Sequence, residues 1–348
     1  MNTLKLHPLS SFLPVETLDH IFRNLSREEL CPVLLLNSFF HDAASRVLYR
    51  CIAELTAKQV IILVRTLSKS DIYPPLVREL IIGLEETRVT GNFFRLLHRA
   101  LQRLNAVTSL TIEFSHFDNT RELTWIFDGC VFSLKSFTTS IRSDLSLANF
   151  LGMQPDITEL CLRGFQSGQP FTLPTSALPK LKSFRAVHSG PCLLTEIIRG
   201  RPIEGVSLSL YGGDTFQSLD TLLLSTSTIR RLTIMSFDTD KPNILLPEVA
   251  ARLPELEALH IVVLMAQYTL DVLREASPLL SRFRALRYLT FMAPGAPASV
   301  DEERSIAAQW HESCPTLKTI ILPRGMVWFQ REGKWTSWND TEHPPILL

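Results

Sequence analysis

A six-residue pattern of apolar and variable positions recurs ten times along the chain. Its first, fourth and sixth positions are apolar, as in Ile157-Thr-Glu-Leu160-Cys-Leu162, except that the copy at Leu134 has Thr139 in the sixth position. Successive copies begin 22 to 31 residues apart, close to the roughly 20 to 29 residues of a leucine-rich repeat. The alternation within each copy predicts a strand whose apolar side chains face a core. The ten copies begin at Val77, Val107, Leu134, Ile157, Leu181, Ile203, Ile229, Leu256, Leu286 and Leu317.

Helical periodicity lies between the predicted strands. Phe94, Leu97, Leu101 and Leu104 follow one another at steps of three or four residues and therefore share one helical face. Glycine and proline punctuate the links. Units of strand, turn, helix and turn cannot bury their apolar faces alone, so they stack, with strands on a concave side and helices on a convex side. The other helices predicted in this way cover residues 57–68, 193–199, 247–253, 270–282 and 300–312.

The two ends of the chain depart from the repeat. Near the C-terminus, residues 327–330 and 334–338 predict a hairpin around the turn Glu332-Gly333. Open solenoid ends need a cover, and Trp328, Trp335 and Trp338 supply apolar area for one. We therefore predict a solenoid over residues 53–326 and a hairpin cap with a tail over residues 327–348.

Residues 11–52 predict three short helices. In the first, Leu18, Ile21, Phe22 and Leu25 recur at the spacing of one helical face. Ser26-Arg-Glu-Glu29 forms a capping box that starts the second helix at Arg27, and the third covers roughly residues 39–50. Three helices of this size cannot bury all their apolar residues among themselves, so either the repeats or a partner must cover the remainder.

Together with Leu13-Pro14, Glu29-Leu30, Leu36 through Phe40 and the continuation to Arg50, this segment resembles the F-box, and fungal F-box proteins in particular. The repeats after it are similar to that family's usual C-terminal arrangement. The resemblance implies an α/β fold in which a three-helix F-box-like module precedes a curved leucine-rich-repeat solenoid with a terminal β-hairpin cap. It also implies that the module docks onto the Skp-type adaptor of a cullin-RING ubiquitin ligase while the repeats hold a protein substrate. The residues that would line or support the adaptor contact are Leu13, Pro14, Leu18, Ile21, Phe22, Leu25, Leu30, Leu36 and Phe40.

Charge and cysteine usage narrow the range of partners. Thirty-five basic residues balance 35 acidic ones, so no overall field attracts nucleic acid or anionic lipid. The six cysteines include no Cys-x-x-Cys pair, which argues against zinc sites and a disulfide framework and favours a reducing compartment. Neither a secretory signal nor an apolar stretch of the roughly 20 residues that cross a bilayer is present. We expect a cytoplasmic or nuclear protein without a membrane partner.

No motif in the sequence supports catalysis. The segment Gly164-Phe-Gln-Ser-Gly168 lacks the Gly-x-Ser-x-Gly spacing of a hydrolase, and neither a phosphate-binding loop nor a His-Glu-x-x-His helix occurs. We therefore expect no enzyme activity and no cofactor. The binding residues we predict are those at outward strand positions on the concave side, namely Arg163, Arg185, Arg231, His260 and Tyr288.

Two functions fit these observations. The first is a non-enzymatic substrate adaptor of a Skp-cullin-F-box ubiquitin ligase, monomeric apart from the complex. The alternative is a leucine-rich-repeat scaffold that uses its N-terminal helices for another partner and has no role in ubiquitin transfer. In a purely structural interpretation, the helices cap the solenoid and the concave residues form a solvated face.

Overall fold

The chain has a mixed α/β fold. The computed structural model describes residues 13–115, 117–118, 121–168, 170–210, 215–236, 242–295, 298–331 and 333–337. Helices and strands alternate along most of it. Contacts divide the chain into two compact units, Met1–Ile141 and Arg142–Leu348.

The first unit combines five helices with four short strands among its described residues. Each strand pairs in parallel with the next one along the chain. The helices are α1 Val15–Phe22, α2 Arg27–Val33, α3 Ser38–Arg50, α4 Ala57–Lys69 and α5 Gly91–Arg103. The strands are β1 Cys51–Ile52, β2 Glu79–Leu84, β3 Ser109–Phe114 and β4 Ser136–Thr139. Short 3₁₀ turns occupy Pro74–Leu76 and Thr124–Phe127.

Side-chain caps define the beginnings of α2 and α3. The Ser26 hydroxyl accepts from the Glu29 amide while the Glu29 carboxylate accepts from the Ser26 amide, which confirms the predicted capping box. The Asn37 side chain accepts from the Phe40 amide and starts α3 one residue earlier than predicted. These bonds satisfy amides that have no partner within the helix.

The predicted helical face from Leu18 to Leu25 is wrong at its end, because α1 stops at Phe22. The amide of Asn24 donates to Ile21 and that of Leu25 donates to Phe22, so the chain tightens into a turn. Ser26 then has to adopt the extended conformation that caps α2. Leu25 therefore lies in the link between two helices.

The second unit repeats the strand-and-helix pattern. Its strands are β5 Glu159–Leu162, β6 Ser183–Ala186, β7 Gly205–Leu210, β8 Arg231–Ser236, β9 Ala258–Val263, β10 Tyr288–Met292, β11 Thr319–Ile321, β12 Val327–Arg331 and β13 Lys334–Ser337. Strands β5 to β11 pair in parallel in chain order, whereas β12 and β13 are antiparallel to their neighbours. The helices are α6 Leu145–Gly152, α7 Pro191–Ile198, α8 Thr215–Thr221, α9 Pro242–Arg252, α10 Leu270–Glu275 and α11 Val300–Ser313.

One predicted helix of this unit is shorter than its sequence pattern suggested. We predicted a helix over residues 270–282, but α10 ends at Glu275 and a 3₁₀ turn covers Ser277–Arg282. Pro278 explains the break, because it has no amide hydrogen and disfavours helical conformation at the residue before it.

The repeated sequence pattern forms the core of both units. All ten copies contain a strand, and each of their thirty pattern positions is at most 3% exposed. Residues between these positions alternate to the other side of the strand, as in β8, where Arg231, Thr233 and Met235 are accessible. The pattern therefore separates residues that hold the fold together from residues available for binding.

The predicted C-terminal hairpin is present as β12 and β13. Trp328 and Trp335 are buried, and the Trp328 indole nitrogen donates to the buried carboxylate of Glu303 on α11 at 3.4 Å. The backbone amide of Arg324 donates to the same carboxylate at 3.1 Å. Trp338, Glu332 and the tail lie outside the described residues.

Candidate interaction surfaces

The three N-terminal helices have a small core of their own. Leu18, Phe22 and Leu30 pack with Ala43 and Ala44 and are nearly inaccessible. These three predicted adaptor-binding residues therefore support the module from inside. Leu18, Phe22 and Leu30 could contact a partner only if the helices unfolded.

Other residues predicted to bind the adaptor lie at the surface. Leu13 is 41% exposed, Ile21 is 45% exposed and Leu36 is 65% exposed, and Pro14 is also exposed. Leu25 and Phe40 are half-buried and pack at the edge of the core. Exposed leucine and isoleucine on so small a module are typical of an interaction site.

Leu35 is an exposed residue that the sequence analysis missed. It is 87% exposed, the highest value among the large apolar residues that the structure describes. The sequence run Leu34-Leu35-Leu36 indicates an exposed apolar side chain, because no single helical face can bury three consecutive apolar residues.

Specific contacts fix the helices to the chain that follows them within the first unit. The Arg27 guanidinium donates to the carbonyls of Ala53 at 2.9 Å and Cys51 at 3.3 Å. Tyr49 on α3 stacks on Tyr73, with ring centroids 4.3 Å apart. The module is therefore held in place without covering Ile21, Leu35 or Leu36.

The second candidate surface is the outward face of strands β8, β9 and β10. The strand register aligns these outward side chains in three rows. The rows are Arg231–Ala258–Tyr288, Thr233–His260–Thr290 and Met235–Val262–Met292.

Arg231, His260 and Tyr288 are thus brought onto one face, as the sequence predicted. Arg231 and Tyr288 are exposed and flank Ala258, a residue too small to fill the space between them. The row of Met235, Val262 and Met292 was not predicted as a binding feature. Both methionines are exposed, and their flexible thioethers suit varied apolar contacts.

The remaining predicted residues lie further along the sheet. Arg185 on β6 is aligned with Ser207 on β7, whereas Arg231 on β8 is aligned with Gly205 on β7. Two strand spacings, or roughly 10 Å, therefore separate their backbones across the sheet. Arg163 follows the end of β5, is half-buried and already interacts with the chain. The three predicted arginines do not converge on one point.

The Arg231 side chain extends over Gly205. Its Nε atom lies 3.5 Å from the position that a Cβ of residue 205 would occupy. The Arg231 and Arg185 side chains make no ion pair or hydrogen bond among the described residues. A ligand can thus use their guanidinium donors without displacing an internal partner.

His260 is linked to the neighbouring strand. Its Nδ1 atom lies 2.7 Å from the Thr290 hydroxyl oxygen, and burial lowers the pKa of the imidazole because it penalises the charged form. His188 also has its pKa lowered by burial, and it stacks on Phe165 with ring centroids 4.4 Å apart. These histidines contribute flat, neutral surfaces at neutral pH.

The described residues contain no group of three or more His, Cys, Asp or Glu side chains arranged to hold a metal ion. Within the same part of the chain, no helix combines the length and apolar character needed to cross a membrane. The six cysteines are free thiols. Comparison with models of known protein families finds no match, and comparison with curated proteins finds none either.

Proposed function

We propose that the protein is a substrate-recognition adaptor of a Skp-cullin-F-box ubiquitin ligase. The observation that carries this proposal is a three-helix module with its own core and with Leu13, Ile21, Leu35 and Leu36 left exposed. A cap serving only the repeats would be expected to bury such side chains. This role implies a cytoplasmic or nuclear location.

The strand-and-helix units fit the second half of the proposal. We infer that they are degenerate leucine-rich repeats of a solenoid, because ten strands recur along the chain, bury the pattern positions on one face and leave most positions on the other face at least partly accessible. The outward residues of β8 to β10 then form the substrate-binding face. Their mixture of a guanidinium, an aromatic ring and two methionines suits a protein segment better than a small polar molecule.

Binding to a purified Skp-type adaptor tests the proposal. Two double variants of the full chain are compared with the intact protein. One combines Leu13→Ala and Pro14→Ala, and the other combines Leu35→Ala and Leu36→Ala. Because both pairs of residues are exposed, we expect the circular dichroism spectrum of each variant to be unchanged. We expect adaptor binding to weaken at least about tenfold, because each variant loses apolar contacts at the centre of the interface. The matched control is Leu223→Ala with Leu224→Ala, which removes two exposed neighbouring leucines from the second unit.

Retention of the adaptor by the intact chain and the control, but not by the two variants, supports the proposal. Failure of the intact chain to retain the adaptor at micromolar concentration would refute it. A scaffold function through another partner would then be the better description of the same exposed residues.

A further inference from the structure

Three arginines line one cavity in the first unit. The cavity has a volume of about 270 Å³ and is lined by Arg46, Arg50 and Arg78 together with Val15, Glu16, Asp19 and Leu76. Neither the proposed adaptor contact nor the proposed substrate face uses these arginines.

The local backbone brings the three arginines together. Arg46 and Arg50 lie one turn apart on α3. Arg50 immediately precedes β1 and Arg78 immediately precedes β2, and the Arg78 amide donates to the Arg50 carbonyl at 2.9 Å. The Arg78 guanidinium also donates to the carbonyls of Pro75 at 2.7 Å and Val77 at 3.3 Å, which restrict its position.

The cavity has an excess of positive charge. The Arg46 and Arg50 side chains form no ion pair or hydrogen bond with any described residue. Of the two carboxylates, Asp19 is already paired with Arg23, which leaves Glu16 facing three guanidinium groups. Like charges one helical turn apart, such as Arg46 and Arg50, repel each other, so an anion between them would relieve this repulsion.

Some pairs of residues at the same strand position in the second unit carry opposite charges. Residues immediately before neighbouring strands form ion pairs there, with Lys182 3.9 Å from Glu204 and Arg230 2.6 Å from Glu257. Arg50 and Arg78, immediately before β1 and β2, are both cations, as are Arg287 and Lys318 immediately before β10 and β11. Where both residues are cations, the neighbouring strand position supplies no carboxylate to neutralise them.

We propose that Arg46, Arg50 and Arg78 bind a phosphomonoester group, carried by a small molecule or by a phosphorylated side chain. Guanidinium groups match the geometry of phosphate oxygens with paired donors. The volume is slightly below the roughly 300 Å³ at which small-molecule pockets begin, so it fits a phosphate with only a few attached atoms. Glu16 accepts a hydrogen bond from a hydroxyl or amino group next to the phosphate.

Isothermal titration of the full chain tests this site with four probes. These are inorganic phosphate, O-phospho-L-serine, a phosphoserine peptide and the same peptide without phosphate. We expect the three phosphorylated probes to bind and the fourth not to bind. Tighter binding of the peptide than of phosphoserine indicates a phosphorylated side chain, and equal or weaker binding indicates a small molecule.

Substitutions separate this site from a general positive surface. We expect Arg50→Gln and Arg46→Gln each to weaken binding by about tenfold, as for loss of a charge-assisted contact. The control is Arg287→Gln, because Arg287 is exposed and also immediately precedes a strand, but lies in the second unit. It should change the affinity less than about twofold.

Three results would overturn the proposal. They are the absence of binding by any phosphorylated probe at millimolar concentration, equal weakening by Arg287→Gln, and unchanged affinity in both Arg46→Gln and Arg50→Gln. Circular dichroism of each variant checks that the fold persists, and the two positions provide independent tests.

Discussion

The Arg201 guanidinium donates a hydrogen bond to the Ala177 carbonyl at 2.8 Å, although Arg201 is buried. The same side chain also donates to the carbonyls of Pro174, Glu196, Ile197 and Arg199. Burial lowers the pKa of the guanidinium, but an arginine keeps its charge in proteins. One guanidinium group thus donates hydrogen bonds to backbone carbonyls of the irregular chain before β6 and of the end of α7.

Replacement of Arg201 should strongly destabilise the second unit. Arg201→Met keeps much of the side-chain volume but leaves buried carbonyls without donors, each at a cost of about 1 to 3 kcal/mol. We expect the free energy of unfolding to fall by about 3 kcal/mol or more in urea titrations. Arg199→Met changes an exposed arginine in the same loop and should cost less than about 0.5 kcal/mol. Equal effects would show that the carbonyl contacts contribute little.

The hairpin should also be essential for stability. Trp328→Ala removes a buried ring and the indole donor to Glu303, so we expect a loss of about 3 to 5 kcal/mol in the free energy of unfolding. Trp125→Ala removes a tryptophan that is 37% exposed and should cost clearly less. A Trp328 variant as stable to urea as the Trp125 variant would contradict a capping role.

The free energy of unfolding should decrease in mild acid because of two half-buried histidines, His188 and His260. The pKa values of His188 and His260 are lowered in the folded chain, so below about pH 6.5 the unfolded chain binds more protons than the folded one. The free energy of unfolding therefore falls as the pH falls from about 6.5 through these lowered values. His188→Gln with His260→Gln should flatten that dependence in urea titrations at several pH values. An unchanged slope would assign the acid sensitivity to other groups.

Substrate capture should depend on the outward arginines of the second unit. Arg185→Glu with Arg231→Glu reverses two charges that have no internal partner, so capture of acidic or phosphorylated segments should be lost while adaptor binding persists. The control is Arg274→Glu with Arg282→Glu, two exposed arginines outside the strands. Arg274 forms an exposed ion pair with Asp271 and attracts the exposed Glu302 carboxylate, and surface pairs of this kind are worth at most about 1 kcal/mol.

Mass spectrometry of the proteins captured by each variant measures this effect. Arg163→Glu is compared separately, because Arg163 already interacts within the chain. Equal losses in the arginine pair and its control, or no loss in either, would indicate recognition elsewhere, for example at Gly164 to Gly168 or at Ala293 to Pro297. Of the second segment, residues 296–297 lie outside the described residues.

The sequence predicted the features that depend on local periodicity. Alternation of apolar positions identified all ten repeat strands and their buried residues, and Ser26 with Glu29 identified the start of α2. Both signals act within six residues, so they do not require knowledge of the tertiary structure.

Features that depend on distant residues were not predicted. The five carbonyl partners of Arg201 come from two segments, the chain before β6 and the end of α7, and the spacing of Arg185 and Arg231 depends on the strand register. The early end of α1 results from competition with the Ser26 cap. The cavity of Arg46, Arg50 and Arg78 likewise requires the pairing of β1 with β2.

The strict alternation of buried and accessible residues along β8 has an evolutionary consequence. Substitutions at accessible positions such as Thr233 or Met235 leave the inward pattern residues untouched, and changes at such positions typically alter the free energy of unfolding by less than about 0.5 kcal/mol. In the proposed substrate adaptor, target preference can therefore drift by single mutations while the folded scaffold persists. A duplicated gene for such a chain could acquire a new target before losing the ability to fold.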